Sequence, residues 1–176
     1  DPKSRNSGNS VAHKQFPGGH ITMVGSNAPT DLAGRPIRIV FADEIDRYPT
    51  SAGTEGDPLY LARQRTATFW NRKIIMASTP TIEGMSRIWT EFEKSDQRYF
   101  HIPCPECDEK HVLKWPNIIY SNDDPTTARI ACPSCGALYG DSEKLKALQH
   151  GEWIATAESR GVAGFHISAL YSPWQT

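Results

Sequence analysis

The 176-residue sequence lacks the features of membrane-spanning, secreted and strongly basic proteins. No apolar run approaches the roughly 18 residues that a membrane-spanning helix needs, so no membrane association is expected. Residues 1–5 are not followed by an apolar segment, so no secretory signal is expected. The formal net charge of −1 provides no overall attraction for DNA, and any DNA-binding face must therefore be local.

Cysteine is scarce, and its distribution argues against a disulfide scaffold. All four cysteines fall in two Cys-Pro-x-Cys pairs with 24 residues between them. Two such pairs supply the four thiolates of a tetrahedral zinc site, whereas a thioredoxin-like redox site needs one pair. The predicted zinc ligands are Cys104, Cys107, Cys132 and Cys135 of a zinc ribbon, with ribbon strands at residues 111–115 and 128–131.

The basic residues of this ribbon are a weak signal for DNA binding. Lys110, Lys114 and Arg129 are accompanied by acidic residues at positions 106, 108 and 109. Four cysteines already fill a zinc shell, so His101 and His111 are expected to lie near the metal without binding it. The ribbon is therefore predicted to be a structural insert.

What the sequence does contain is a short apolar run, residues 38–42, that ends in two adjacent acids. Such a run predicts a buried strand of a parallel sheet, and ligands bind at the carboxyl ends of such strands. Asp43 and Glu44 thus have the form of a Walker B element, in which the first acid holds Mg²⁺ and the second polarises the attacking water. The alternative is a strand that ends in a solvated acidic loop.

A second short strand, residues 73–77, ends in the hydroxyl groups of Ser78 and Thr79. A helix that begins at Asp57 and Pro58 separates the two strands, so acids and hydroxyls are expected on one rim. A Ser or Thr beside a Walker B strand can sense the γ-phosphate of ATP. The alternative is that Ser78 or Thr79 only caps the turn that follows.

The remaining elements complete a predicted α/β fold. Residues 1–19 predict a loop with a short strand within 11–16, and a strand at 20–24 is expected to reach the acidic strand through a short crossover. The other predicted elements are a helix at 84–95 with a core-facing stripe that includes Met85, a capped helix at 141–148 and a strand at 152–155.

The order of these motifs resembles the large terminase subunit of tailed phages, in its GpA-type branch, over nearly the whole chain. The matching segments are Phe16-Pro17-Gly18-Gly19, Gly25-Ser26-Asn27, Arg35-Pro36, Asp43-Glu44-Ile45-Asp46, Tyr48-Pro49, Gly56-Asp57-Pro58, Arg72-Lys73-Ile74, Ser78-Thr79-Pro80-Thr81, both Cys-Pro-x-Cys pairs, Phe165-His166 and Leu170-Tyr171-Ser172-Pro173-Trp174.

This resemblance implies roles for individual residues. Asp43 corresponds to the Walker B magnesium ligand and Glu44 to the catalytic carboxylate. Ser78 and Thr79 correspond to the coupling motif that links hydrolysis to DNA movement, and Arg35 lies where a contact with a nucleotide phosphate is conceivable. The four cysteines match the zinc ribbon of the family. The implied cofactors are ATP, Mg²⁺ and Zn²⁺.

The resemblance also implies a domain plan. Residues 1–98 correspond to the C-terminal portion of a P-loop ATPase sheet, residues 99–140 to the zinc-ribbon insert, and residues 141–176 to the end of the ATPase domain with the start of a linker to a nuclease domain. No Gly-x-x-x-x-Gly-Lys-Ser/Thr loop occurs, and the first residue is not Met, so a fragment is expected. Without that loop tight ATP binding is not expected, and the fragment alone is predicted to be inactive.

The implied function is ATP-driven translocation of double-stranded viral DNA into procapsids, with cutting of concatemeric DNA by the nuclease. The implied partners are double-stranded DNA, the small terminase subunit and the portal protein, on which a homo-oligomer assembles in the bacterial cytoplasm. Two alternatives remain open. One is a helicase-type DNA-dependent ATPase, and the other is a non-enzymatic zinc-ribbon module for nucleic-acid binding or assembly.

Overall fold

The computed structural model describes residues 9–174, and this part of the chain divides into two compact units after Ile88. Both units combine short strands with short helices. The structure is therefore a mixed α/β structure with small sheets and few helices, which agrees with the predicted α/β class. The start of the predicted N-terminal loop, before residue 9, lies outside the described residues.

The first unit is built around a parallel pair of strands. Its elements, in chain order, are β1 (His13–Phe16), β2 (Gly19–Thr22), α1 (Pro29–Ala33), β3 (Ile39–Ala42), a 3₁₀ turn (Ile45–Arg47), α2 (Pro58–Gln64) and β4 (Lys73–Met76), and helix α3 (Arg87–Glu93) includes the boundary between the units. Strands β3 and β4 are parallel, with Ile39 opposite Lys73 and Ala42 opposite Met76. They are the two strands that the sequence predicts to end side by side.

One face of this parallel pair is covered and the other is not. Val40 and Ala42 pack with Leu59 and Ala62 of α2 in the core of the first unit. On the opposite face Phe41 is 65% exposed. The predicted buried strand of a parallel sheet is therefore parallel but buried on one face only, because no element among the described residues covers the second face.

The helix before β4 begins as the sequence predicts. Asp57 accepts a hydrogen bond from the Tyr60 N–H at 2.8 Å, and Pro58 occupies the first turn. These are the N-cap and first-turn roles that Asp and Pro favour. The next predicted helix, 84–95, is shorter in the structure because it spans only Arg87–Glu93. Met85 lies before it and is 77% exposed, so its assignment to the core is wrong.

Strands β1 and β2 form an antiparallel hairpin, with Phe16 opposite Gly19. The loop between them is Pro17-Gly18, and Gly18 has a φ of +89°. Proline followed by a residue with positive φ suits a type II turn, which returns the chain on itself. The expected crossover from this strand to β3 is therefore wrong, since β2 pairs with β1 and not with the parallel pair.

The second unit contains two sheets and one longer helix. Its elements after α3 are β5 (Arg98–Pro103), β6 (Lys110–His111), a 3₁₀ turn (Trp115–Asn117), β7 (Ile118–Ser121), β8 (Asp124–Ala131), β9 (Leu138–Tyr139), α4 (Asp141–Leu148), β10 (Glu152–Ala155), β11 (Phe165–His166) and a 3₁₀ turn (Ala169–Tyr171). Strands β10, β5 and β11 form one sheet, with β6 paired to β5, and β7, β8 and β9 form the other. Helix α4 and strand β10 have the predicted bounds.

The core of the second unit joins both sheets through apolar side chains and one tyrosine hydroxyl. The buried members are Ile102, Leu113, Ile130, Tyr139, Ala147 and Tyr171. The Tyr171 hydroxyl donates to the Phe100 carbonyl and accepts the Leu113 N–H at 2.8 Å. This side chain takes the place of a strand partner at Leu113, so the strand predicted at 111–115 is limited to Lys110–His111.

Candidate functional site

The chain segments that follow β3 and β4 lie against each other. The Ala77 N–H donates to the Ala42 carbonyl at 2.9 Å, and the Ile45 N–H donates to the Ala77 carbonyl at 3.3 Å. One residue further along each segment, the Asp46 N–H donates to the Ser78 Oγ at 3.2 Å. The acids after β3 and the hydroxyl after β4 therefore share one rim, which we call the acidic rim (Asp43, Glu44, Asp46, Ser78 and Thr79).

The two adjacent acids of this rim are exposed to solvent. Asp43 accepts the Glu44 N–H at 3.0 Å, and the Glu44 carboxylate lies 3.1 Å from the Nε atom of Arg47. Glu44 has a φ of +53°, a left-handed conformation that is uncommon for residues other than glycine and that often marks functional positions. Burial raises the pKa of Tyr48, and the charge of Asp43 raises it further. Because Asp43 is exposed, its carboxylate oxygens are open to solvent. Carboxylate oxygen is the ligand type that Mg²⁺ takes.

Ser78 and Thr79 differ in how they meet this rim. The Ser78 hydroxyl accepts from Asp46 and lies 3.3 Å from the Thr79 carbonyl, while Thr79 itself is exposed. Neither residue caps a helix, because α3 begins only at Arg87. Arg35 is not brought to the rim, since it precedes β3 and the acids follow that strand. Its predicted contact with a phosphate stays a prediction.

Asp46 is the residue of this rim to which the sequence assigned no role. Its carboxylate accepts the Ile88 N–H at 2.8 Å, the Thr81 N–H at 3.0 Å and the Thr81 hydroxyl at 3.2 Å. Burial raises its pKa, but hydrogen bonds from Ile88, Ser86 and Thr81 outweigh burial and lower it. Asp46 therefore holds the middle of the segment between β4 and α3, and the first turn of α3, against the acidic rim.

The second unit brings the four cysteines into one cluster. Their sulfur atoms all lie within 4.8 Å of one another, and the Cys104–Cys135 and Cys107–Cys132 sulfur pairs are each 3.8 Å apart. A tetrahedral zinc ion with Zn–S bonds of about 2.3 Å places its sulfurs about 3.8 Å apart. The thiol cluster therefore has the dimensions of a tetrahedral zinc site.

The close approach of these thiols changes their pKa values in opposite directions. Burial raises the pKa of Cys132, but the N–H groups of Cys135 and Ser134 and the neighbouring thiols lower it to about 6. The Glu109 N–H lowers the pKa of Cys107, but Cys135, burial and the other thiols together raise it to about 12. Four thiolates so close together repel one another, and a bound cation would remove that repulsion.

The two halves of the cluster are built in the same way. The Cys104 carbonyl accepts from the N–H of Asp108, and the Cys132 carbonyl accepts from the N–H of Gly136, each at 3.0 Å. These two residues occupy equivalent positions and have φ values of +60° and +76°. Asp tolerates this left-handed conformation better than most residues, and Gly adopts it without strain. Each Cys-Pro-x-Cys pair is thus a tight turn of the type expected for a zinc knuckle.

Two histidines near the cluster bind other groups. His111 is buried, with its Nε2 atom 2.8 Å from the Tyr139 hydroxyl and its Nδ1 atom 3.2 Å from the Glu109 carbonyl. The Nδ1 atom of His101 lies 3.1 Å from the Tyr99 carbonyl. Among the described residues, the group of potential metal ligands that comes together contains the four cysteines alone. Both histidines therefore support the surrounding backbone.

Within residues 9–174, every helix is too short or too polar to cross a lipid bilayer.

Comparison with known proteins identifies the family. Residues 1–153 match the family model described as "Phage terminase large subunit gpA, ATPase domain". The chain belongs to this family. The resemblance that the order of motifs suggested is therefore confirmed, and the match includes the acidic rim and the thiol cluster.

Two curated relatives share the name "Terminase, large subunit". The protein of Enterobacteria phage P21 is 24% identical over 197 residues, and that of Escherichia phage lambda is 25% identical over 197 residues. Each alignment covers 96% of this chain and 30% of the relative. The chain thus spans less than a third of the length of these relatives. No solved structure matches it significantly.

Proposed function

We propose that this chain carries the hydrolytic edge of the ATPase in a DNA-packaging motor. The full-length protein would use ATP to translocate double-stranded viral DNA into procapsids. The proposal is supported by the acidic rim, where the segments that follow two parallel strands meet through the Asp46–Ser78 hydrogen bond, and Asp43 and Glu44 lie on the same segment as Asp46. Membership of the terminase ATPase family supports the choice of this reaction.

The proposed roles follow from the chemistry of each side chain. Asp43, a carboxylate open to solvent, would hold Mg²⁺, which neutralises charge on the phosphates of ATP when it is bound. Glu44 would orient the attacking water and accept its proton, because its carboxylate lies at the rim beside Asp43. Ser78 would report on the nucleotide, because its hydroxyl already contacts the backbone of the Walker B segment, and Thr79 would assist it.

The thiol cluster would hold one structural zinc ion in the second unit. Zinc supplies no reaction here, since all four ligands are cysteines and no position remains open for water or substrate. The ion would fix the two knuckles to each other and thereby order the strands β5, β8 and β9 that carry them. The zinc ribbon is therefore a folding element of the proposed motor.

The full-length protein is proposed to contain this chain together with further segments. ATP binding requires a phosphate loop, and residues 1–176 contain none, so the isolated chain is proposed to be inactive. A nuclease domain elsewhere would cut concatemeric DNA. The proposed partners are the small terminase subunit and the portal protein, and the proposed place of action is the host cytoplasm, with a homo-oligomer assembled at the procapsid portal.

ATP hydrolysis by the full-length protein, with and without duplex DNA, tests this function. The motor function predicts hydrolysis that DNA stimulates. Hydrolysis that single strands stimulate more strongly than duplex DNA would favour a helicase-type ATPase. DNA binding with no hydrolysis at all would favour a zinc-ribbon assembly module, and the acidic rim would then be only the end of a strand.

A further inference from the structure

The ends of β3 and β4 opposite the acidic rim are rich in basic residues. Residues 32–42 and 58–82, which contain these strands, include no Asp or Glu. The same two segments contain six basic residues, which are Arg35, Arg38, Arg63, Arg65, Arg72 and Lys73. Basic residues therefore predominate in these segments before and between the strands, and the acids of the acidic rim follow β3.

Backbone contacts bring these basic positions together. The Lys73 N–H donates to the Arg38 carbonyl at 3.0 Å, and the Ile37 N–H donates to the Arg65 carbonyl at 3.0 Å. Arg72 directly precedes Lys73, and the guanidinium of Arg65 donates to the Ala33 carbonyl at 3.0 Å, at the end of α1. Arg35 follows that helix two residues later. The segments before β3 and β4 thus form one edge.

Four of these cations are exposed and have no acidic partner. Arg35, Arg38, Arg72 and Lys73 take part in none of the salt bridges of the part of the chain that the structure describes. Two exposed cations of the second unit are paired with acids, Lys94 with Glu91 at 3.0 Å and Lys110 with Glu152 at 2.7 Å. We call these four residues the basic edge. Like charges that no acid neutralises attract a polyanion.

We propose that the basic edge binds the phosphate backbone of double-stranded DNA. The identity of the partner rests on the proposed function, whereas the position of the surface rests on the charges just described. Lys and Arg side chains neutralise DNA phosphates, and these contacts carry no sequence preference. Trp70, which is 95% exposed, lies two positions before Arg72 in the chain. A surface for single strands uses several aromatic side chains in succession, so duplex DNA fits this edge better.

The zinc ribbon offers a poorer surface for the same ligand. Lys110 is paired with Glu152, and the first knuckle carries Glu106, Asp108 and Glu109, which repel phosphate. The acidic rim likewise repels DNA at the carboxyl ends of the strands. DNA would therefore be held at the end of the sheet opposite the hydrolytic edge, and strands β3 and β4 would connect the two.

The salt dependence of duplex binding by the full-length protein tests this inference. The test variant combines Arg38→Gln, Arg72→Gln and Lys73→Gln, and leaves Arg35 intact because that residue is also a candidate for nucleotide contact. The control variant removes three charges from the ribbon, through Lys110→Gln, Lys114→Gln and Arg129→Gln. Fluorescence anisotropy of labelled duplex DNA at several salt concentrations gives the slope of log affinity against log salt for each protein.

If the basic edge binds DNA, the slope of log affinity against log salt should become shallower by about 0.9 for each phosphate contact removed. We expect this change in the test variant only. An unchanged slope in that variant, a loss confined to the ribbon variant, or tighter binding of single strands than of duplex DNA would each overturn the inference. ATP hydrolysis by the unmodified protein is measured in parallel. Its absence would overturn the proposed motor function, while the slopes would still decide whether the edge binds DNA.

Discussion

At the scale of single residues, Asp46 joins the acidic rim to the segment that follows β4. Its carboxylate accepts three hydrogen bonds from Thr81 and Ile88, and its N–H donates to Ser78. A movement of Ser78 can therefore be transmitted to the start of α3 through a single residue, Asp46. Asp46 lies close to Asp43 and Glu44 in the sequence, but the sequence could not reveal this role, because the partners of Asp46 lie 32–42 positions further along the chain.

Replacing Asp46 by Ala is expected to destabilise the protein. Hydrogen bonds to a charged group contribute about 1.5–3 kcal/mol, and the substitution leaves the N–H groups of Thr81 and Ile88 without their acceptor. Chemical denaturation measures the free energy of unfolding, with Glu55→Gln, an exposed acid, as the control. A loss no larger than that of Glu55→Gln would show that Asp46 does not hold this segment.

The contribution of Asp46 is also expected to depend on pH. Its pKa in the folded chain lies below the ordinary value of 3.8, so the folded state favours the charged carboxylate. The stabilisation is fully present above the ordinary pKa and is lost as the pH falls through the lower folded-state pKa. The difference in unfolding free energy between the wild type and Asp46→Asn should therefore shrink below pH 3.8. A difference that grows with acid would contradict this assignment.

At the scale of structural elements, the close approach of strand β5 to the turn before β10 requires glycine. A Cβ atom at Gly151 would overlap with the Phe100 ring and lie 3.0 Å from the His101 carbonyl. Phe100 also packs against Trp153, with ring centroids 5.2 Å apart. The turn and both strands therefore fit together only because residue 151 has no side chain.

Gly151→Ala is expected to destabilise the second unit by about 1–3 kcal/mol, the usual cost of overpacking. Thermal denaturation would measure the loss. Gly25→Ala is the control, because its added Cβ would meet no atom within 4 Å and its φ is not in the left-handed region. Equal melting temperatures for the two variants would show that β5 and the turn can move apart freely.

The thiol cluster is expected to bind one zinc ion per chain and to depend on it for folding. In small zinc domains the ion contributes on the order of 10 kcal/mol to folding, so chelation or Cys135→Ser should unfold the strands around the cluster. Hydrogen exchange would show faster exchange in β8 and β9 and unchanged exchange in β3 and β4. Asp108→Gly is the control and should retain zinc, because glycine suits the φ of +60° at that position. Zinc-free protein with full protection would contradict the metal site.

Local sequence signals predicted these elements better than long-range pairing. The helix starting at Asp57-Pro58, helix α4 and strand β10 follow the sequence because their caps and boundaries lie within them. The pairing of β1 with β2 and the short length of β6 were not predicted, because tertiary contacts determine the partners of these strands. The acidic rim was foreseeable, since parallel strands end on the same side of a sheet. The basic edge could not be predicted from the sequence. It forms because the segments that precede β3 and β4 lie side by side, and tertiary contacts determine that arrangement.

At the scale of the whole molecule, the most exposed apolar surface of the parallel pair lies on its uncovered face. Ile39, Phe41 and Ile75 are 47%, 65% and 46% exposed there. Such a face on short, unprotected strands favours association with other apolar surfaces. The isolated 176-residue chain is therefore expected to be only marginally soluble.

Combining Phe41→Thr with Ile75→Thr is expected to reduce self-association of the isolated chain. Threonine keeps the strand preference while removing apolar surface. Sedimentation velocity at matched concentrations would show a larger monomer fraction. The control is Tyr60→Thr, which removes a 61% exposed aromatic side chain from α2 instead. Equal association of both variants would show that this face does not mediate the contact.

The proposed role of the acidic rim is ATP hydrolysis, and Glu44→Gln in the full-length protein is the variant that separates hydrolysis from ATP binding. The amide keeps the size of the side chain but cannot accept a proton from water, so ATP binding should persist while hydrolysis falls by at least 100-fold, the low end of the usual contribution of a general base. Binding of a fluorescent ATP analogue and release of phosphate are measured on the same sample, with Glu55→Gln as the control. Normal turnover by the Glu44→Gln variant would show that Glu44 is not the general base and that the acidic rim does not hydrolyse ATP through it.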